Sequence, residues 1–332
     1  MATRWGILSA GKISHDFVSA LRTLPTDEHE LVCVAARDLK SAQEFARLHG
    51  IPKAYGSYDE LARDPRVEVV YVGTIHPHHL SATKLLLKNG KNVLVEKPLT
   101  LNLKGTQELT SLARKHNLFL MEALWSRFLP SYEFVMNAIN TGIIGDVNHV
   151  TVNFGMPIAD VDRVNRKELG GGTVIDIGIY TLNVVQMAFG GEKPTEIKAI
   201  GHLNENGVDE SMTAVLKYSN GRTANVATSA RVKYPCEAHI VGTKGVVRIP
   251  FPFWCADKIY LNDVKYEFDL PQPAEICNFW NSCGLRYEAE EVRKCLIAGK
   301  VESAVMSHKD SELLAAIMDE IRRQIGVKYD VD

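Results

Sequence analysis

Apolar residues follow two rhythms along the first part of the chain. Nearly continuous apolar runs at residues 4–8, 31–36, 67–73, 92–96 and 118–121 are strand-like. Between them apolar positions recur every three or four residues, as at Ile13, Phe17, Val18 and Leu21, and again over 41–48, 80–88 and 103–116. A strand apolar at every position is buried on both faces, which a parallel sheet between helices provides. Alternation of such strands with amphipathic helices predicts a doubly wound α/β domain over residues 1–123, with ligands at the carboxyl ends of its strands.

From residue 124 the rhythm changes. Strand-like segments crowd together at 147–154, 195–201, 211–218, 222–228, 237–242 and 246–249, separated by turn signals such as Ser219, Asn220 and Gly221. Helical patterns cover 132–140, 181–189, 288–298 and 309–325. Residues 124–332 are therefore expected to form an α+β domain with a largely antiparallel sheet, open on one face.

Composition narrows the partners. The chain has 332 residues, 45% hydrophobic and 23% charged, with a net charge of −2, enough for two cores and without a basic stretch for nucleic acid. No apolar run reaches the roughly 18 residues a bilayer span needs. The start of the chain lacks a signal-peptide layout, so a cytoplasmic protein is expected. Six cysteines occur without a Cys-x-x-Cys pair, which favours free thiols over disulfides or a zinc ribbon.

The turn after the first strand offers the first candidate chemistry. A dinucleotide fingerprint would place glycine at positions 9, 11 and 14; here they are Ser9, Gly11 and Ser14. Gly11 lets the backbone approach a pyrophosphate, and the amides of Lys12 and Ile13 open the helix that would hold it. The second strand ends at Ala36, Arg37 and Asp38. A carboxylate at the strand end would select the ribose hydroxyl of NAD; Ala36 followed by Arg37 favours the 2′-phosphate of NADP. Asp38 is read either as part of that site or as the cap of the next helix.

Two further clusters carry the reaction. Glu96, Lys97 and Pro98 end the fourth strand, where Lys97 would hold positive charge near a substrate oxygen and Glu96 would orient it. Gly170, Gly171 and Gly172 precede Asp176, Gly178 and Tyr180 in an otherwise apolar run. If a helix begins there, Asp176 and Tyr180 share a face. A tyrosine hydroxyl ionises near pH ~10, and a nearby ammonium lowers that value, so Tyr180 beside Lys97 is a candidate general base. The alternative is a core tyrosine with its hydroxyl satisfied.

These motifs, with Thr74 to His79 after the third strand, Gly145 to Val147 and Gly242 to Gly245, resemble the Gfo/Idh/MocA oxidoreductase family over essentially the whole chain. Many members have histidine at the place of Tyr180. The tyrosine, together with Met121 to Phe128, Trp254 and Phe279, is similar to the dimeric dihydrodiol dehydrogenases of animals, a subgroup of that family. The resemblance implies NADP as cofactor, with Thr74, His76, His79, Glu96 and Lys97 along it. It implies oxidation of trans-dihydrodiols of aromatic hydrocarbons, of D-xylose to its lactone, or of both. Tyr180, Lys97 and Asp176 would carry the chemistry. Trp125, Arg127, Phe154, Trp254 and Phe279 would line the substrate, the aromatic ones being equally readable as core or dimer contacts. The open sheet face would pair with a second copy, giving a homodimer.

Two other readings remain: another sugar or anhydrosugar dehydrogenase or reductase, and a non-catalytic NADP sensor. His76, His78 and His79 invite a metal reading, but no cysteine or carboxylate cluster accompanies them and the spacing is awkward for one ion, so no metal is expected.

Overall fold

A computed structural model describes residues 2–332. Its contacts cluster into two units. The first runs to Thr100 and adds Lys104–Phe128 and Leu270–His308; the second comprises Leu101–Leu103, Leu129–Asp269 and Lys309–Asp332.

The first unit contains β1 (Thr3–Leu8), α1 (Lys12–Leu21), β2 (His29–Ala35), α2 (Leu39–His49), β3 (Lys53–Tyr55), α3 (Tyr58–Arg63), β4 (Val69–Val72), α4 (His79–Lys88), β5 (Asn92–Glu96), α5 (Leu103–His116) and β6 (Leu120–Ala123). Its six strands lie in the order β3-β2-β1-β4-β5-β6, every pair parallel. β4 and β6 are buried at each position, as sandwiching between helices requires. The strand order reverses between β1 and β4, so the turns after these two strands flank the crevice where such sheets bind ligands. This is the doubly wound sheet expected. β3 and α3 escaped the sequence reading because three and six residues are too short to display a period.

The second unit contains α6 (Pro130–Asn140), β7 (Val147–Gly155), α7 (Asp162–Asn165), α8 (Ile179–Ala188), β8 (Glu196–Leu203), β9 (Asp209–Lys217), β10 (Thr223–Ser229), β11 (Ala238–Gly242), β12 (Val246–Ile249), β13 (Lys258–Leu261) and β14 (Val264–Glu267). The eight strands run β14-β13-β12-β11-β7-β10-β9-β8, antiparallel except where β10 meets β7. Alternating burial along β9 and β10 shows one covered and one open face; α8 packs on the covered face. The β13–β14 hairpin was not anticipated. Its turn is Asn262 and Asp263, both left-handed, a geometry that matches strand twist, but β14 is exposed throughout and so lacks alternation.

The chain then returns to the first unit with α9 (Leu285–Ile297) and ends on α10 (His308–Ile325) in the second. Residues 270–308, expected from the sequence to lie with the second domain, pack with the first. α9 sits against α1. The Leu120 amide donates to the Val301 carbonyl (3.1 Å) and the His308 ring lies 2.9 Å from the Leu120 carbonyl. That covers the otherwise open edge of β6, a common means of protecting a terminal strand.

Candidate active site

In the first unit the turn from β1 to α1 is the candidate anion site. Ser9 holds φ 95°, a left-handed conformation that normally favours glycine. Gly11 starts α1 without a side-chain cap, and no acidic residue lies in the first turn. A Cβ added at Gly11 would sit in ordinary contact, 3.6 Å from the Ser9 hydroxyl and 3.8 Å from the Gly73 carbonyl. The Ser14 hydroxyl is buried without a protein partner. An uncapped helix start and an unused buried hydroxyl could hold a dinucleotide pyrophosphate. Ser14 occupies the place of the third fingerprint glycine because the close approach has moved across the crevice: a Cβ on Gly73, just past β4, would overlap the Ser14 hydroxyl. Sequence reading overlooked Gly73.

Arg37 stands exposed after β2, beside the buried Ala36. Asp38 is the cap of α2, its carboxylate accepting from the Ser41 amide (2.8 Å), which holds it below the usual aspartate range. His76 lies in the short 3-10 turn before α4. His79 is fully buried, with its ring nitrogens 2.7 Å from the Pro98 carbonyl and 3.0 Å from the Thr74 carbonyl, so it ties the turn after β4 to the turn after β5. Burial lowers its pKa.

The turn after β5 rests on buried acids. Glu96 accepts from the Tyr71 hydroxyl (2.6 Å) and the Lys97 amide (3.2 Å), and Glu122 on β6 accepts from the Leu99 amide (2.8 Å). Glu288 of α9 is fully buried; desolvation, reinforced by the charge of Glu96, holds it well above the usual glutamate range. Glu96 is raised too, again by burial. Tyr71 in turn stacks on Phe17 of α1, centroids 3.8 Å apart. Trp125 and Arg127 are buried, and Arg127 donates to the Val305 carbonyl (2.9 Å).

Phe279 also belongs to the first unit. It lies in a segment strapped along one side of α1. The buried Asp16 carboxylate accepts from the amides of Asn278 (2.8 Å) and Phe279 (2.9 Å) and from the Asn278 side chain (2.7 Å). The Ala274 amide reaches the Ser19 carbonyl (3.2 Å) and His15 reaches the Ile276 carbonyl (3.0 Å). Phe279 and the neighbouring Trp280 are 43% and 52% exposed.

In the second unit Tyr180 begins α8 directly after a π-helical turn, Val174–Gly178, that contains Asp176. Such wide turns within helices recur at functional sites. Asp176 and Tyr180 are buried, and Arg163 of α7 donates to Asp176 at 2.5 Å. Sequence reading missed Arg163, which lies thirteen residues from its partner with a loop between. Phe154 stacks on Trp254, centroids 4.1 Å apart, and lies 6.1 Å from the Tyr180 ring. These two aromatics had the weakest local context in sequence, yet Phe154 makes a ring contact with the candidate base and Trp254 stacks behind it. Among the candidate aromatics, Phe154 and Trp254 thus join Tyr180, while Trp125 and Phe279 fall in the first unit.

Each glycine of the triple run has its own reason. Gly170 and Gly172 hold positive φ (71° and 117°). A Cβ at Gly171 would press on the Val164 carbonyl at 2.5 Å, and one at Gly172 on the Asp209 carboxylate at 2.5 Å. Asp209 accepts from the Thr173 hydroxyl (2.6 Å) and the Val174 amide (2.8 Å), filling the start of the helix from below. Burial pushes it up to about 6.

Among the described residues, no three His, Cys, Asp or Glu side chains are grouped to hold a metal ion, and no helix is long and apolar enough to cross a membrane.

Comparison with known proteins agrees with this layout. Residues 3–124 match the family described as "Oxidoreductase family, NAD-binding Rossmann fold", and residues 132–248 match the "GFO/IDH/MocA C-terminal domain". The trans-1,2-dihydrobenzene-1,2-diol dehydrogenase of Danio rerio is 52% identical over 332 residues, covering 100% of this chain and 99% of that one. The Homo sapiens protein of the same name is 45% identical, again over 100% of this chain and 99% of its own. Among solved structures, a levoglucosan dehydrogenase in complex with NADH and levoglucosan superposes with a TM-score of 0.85 at 18% identity, over 98% of both chains. A 3-ketoreductase from Actinomadura kijaniata in complex with NADP and TDP-benzene gives 0.82 at 22% identity, over 99% of both. With both family regions matched in order and relatives aligned end to end, this chain belongs to the Gfo/Idh/MocA family of oxidoreductases.

Proposed function

We propose that this chain is an NADP-dependent dehydrogenase that removes hydride from a hydroxyl-bearing ring carbon, oxidising trans-dihydrodiols of aromatic hydrocarbons, D-xylose to its lactone, or both. The observation that carries the reading is in the second unit: a buried tyrosine, preceded by a carboxylate paired to arginine and flanked by the Phe154–Trp254 stack. Aromatic faces suit both a flat hydrocarbon ring and the C–H surface of a sugar. The names of the relatives from Danio rerio and Homo sapiens support the dihydrodiol arm.

Ser9, Gly11, Lys12 and Ile13 would hold the pyrophosphate, and Arg37 the 2′-phosphate. Thr74, His76 and Lys97 would line the nicotinamide half, with His79 and Glu96 supporting their turns from behind. Asp38 would serve the site through the cap that fixes the Arg37 turn. The nicotinamide, when bound, accepts the hydride. Tyr180 takes the hydroxyl proton, and Lys97 supplies positive charge favouring the ionised tyrosine. Asp176 orients substrate, while Trp125, Phe154, Trp254 and Phe279 form walls around it. Arg127, held on the Val305 carbonyl, shapes the neighbourhood of Trp125.

The enzyme would act as a cytoplasmic homodimer. The open face of the second sheet carries Ile200 (76% exposed) and Val215 (45% exposed), which a second copy would cover. Six free thiols agree with a reducing compartment.

The test is a steady-state assay of NADP and NAD reduction with D-xylose, D-glucose and a trans-dihydrodiol. Turnover of xylose or the dihydrodiol, faster with NADP, is the expected result. Tight NADP binding with no turnover of any of them would favour a sensor instead.

A further inference from the structure

The Arg163–Asp176 pair sits at the one place where a carboxylate is a liability to the proposed base. Asp176 is 3% exposed and precedes Tyr180 by four residues. An uncompensated carboxylate there would oppose ionisation of the tyrosine, since like charges disfavour one another at short range. Arg163 removes that opposition. Its guanidinium donates to Asp176, and its charged form is favoured by Asp176 first and by Tyr180 as well. Electrostatic coupling is reciprocal, so whatever Tyr180 does for the guanidinium, the guanidinium does for the tyrosinate.

The backbone is arranged to deliver this arginine. The Gly172 amide donates to the Val164 carbonyl (2.8 Å) and the Gly171 amide to the Arg166 carbonyl (3.0 Å). α7 is thereby laced onto the glycine run that leads into Asp176. Gly171 permits the approach, because a Cβ there would strike the Val164 carbonyl. On its other side the Asn165 carbonyl accepts from the side chains of Asn204 (2.9 Å) and Asn206 (3.0 Å). A four-residue helix held at both edges is a platform, and the side chain it presents toward the helix start is Arg163.

We propose that Arg163, through its ion pair with Asp176, offsets the carboxylate that would otherwise oppose ionisation of Tyr180, adding to the charge of Lys97, and is a positioning residue for the reaction. The inference rests on the reading of Tyr180 given above. The other titratable groups about this pair are Asp209 on β9 and Tyr329, whose hydroxyl donates to the Gly171 carbonyl and whose ring lies 4.7 Å from the Arg322 guanidinium. Burial raises both, so Asp209 retains its proton to about pH 6 and Tyr329 far above neutrality.

The experiment is a tyrosinate absorbance titration of the full chain, with the Tyr180→Phe protein subtracted to isolate Tyr180. Arg163→Met should move the Tyr180 midpoint up by about one pH unit or more, and Arg163→Lys should restore most of it. Asp176→Asn, which leaves the guanidinium unbalanced, should move the midpoint down. Opposite signs from two halves of one ion pair are not produced by loosened packing. A midpoint unmoved in Arg163→Met, or moved the same way in both variants, overturns the proposal. If Arg163→Met does not fold, Asp176→Asn and Arg163→Lys decide it: a midpoint that fails to fall in the first, or that rises in the second as far as an unpaired carboxylate would drive it, overturns it equally. Turnover is recorded separately, because activity surviving in Tyr180→Phe would remove the reading of the base while leaving the measured charge coupling standing.

Discussion

Two glycine-bearing turns, one in each unit, lead into helices, and their free amides have opposite fates. At Gly11 no side chain caps the helix and no acid lies in its first turn. At Thr173 and Val174 the chain supplies its own anion, since Asp209 accepts from both residues. A helix start offers unsatisfied donors to whatever anion is near. One turn keeps them for a ligand; the other has used them internally to fix the elements that carry Asp176 and Tyr180. A glycine-rich approach to a helix is therefore not by itself a phosphate site: what decides is whether a carboxylate of the same unit is already seated there.

The largest expected effect separates chemistry from binding. Tyr180→Phe should lower turnover by ~10²- to 10⁴-fold, the usual contribution of a general acid or base, while leaving NADP affinity unchanged by equilibrium titration. A comparable loss of NADP affinity would blur the two turns into one role.

The filled turn should next betray itself in the pH dependence of stability. Asp209 is raised from the ordinary aspartate value of 3.8 to about 6 by burial. Below about pH 4 it is protonated folded or unfolded. Between there and pH 6 the unfolded chain releases the proton while the folded one retains it, so stability falls as pH rises; above 6 the cost is constant. Asp209→Asn keeps an acceptor for the Val174 amide and should flatten that decline by about 3 kcal/mol, read from denaturant unfolding at a series of pH values.

A carboxylate can also be planted in the open turn. Gly11→Asp has room for its Cβ and should leave thermal stability near that of the parent. NADP affinity should drop by roughly tenfold to a hundredfold, the loss of one or two charge-assisted contacts. Unchanged affinity would mean the pyrophosphate lies elsewhere. Smallest is Asp38→Ala, expected to lower thermal stability slightly as a lost helix cap and to weaken the preference for NADP over NAD by no more than a few-fold.

The fold was legible where periods are long. The strands of the first sheet other than β3, and most helices, followed from apolar spacing, and β7 to β12 from alternation bounded by turns. What stayed hidden was short or context-dependent. The amphipathic pattern of α9 says that one face is buried, not against which sheet, so residues 270–308 were placed with the wrong neighbours in sequence. The π-helical turn at Val174–Gly178 has no compositional mark distinguishing it from an ordinary helix start. At the site, motif residues such as Gly11, Lys97, Asp176 and Tyr180 stood out because small or charged residues interrupt apolar runs. Arg163 and Asp16 did not. Each matters through a partner distant in sequence, and nothing in the local pattern of a charged residue on a helix reveals that partner.

The relation between Ser14 and Gly73 bears on the order in which this turn can change over evolutionary time. The helix carries serine at 14, and the glycine past β4 provides the room for its hydroxyl. A lineage that replaces Gly73 first would drive a methyl into the buried Ser14 hydroxyl; one that first replaces Ser14 by glycine removes that overlap and leaves Tyr71, 3.0 Å from the added methyl, as the tightest neighbour. The two positions are thus coupled, the order Ser14 then Gly73 being the less obstructed. Searches for distant members of the family that demand glycine only on the helix side will pass over sequences that have made the same exchange.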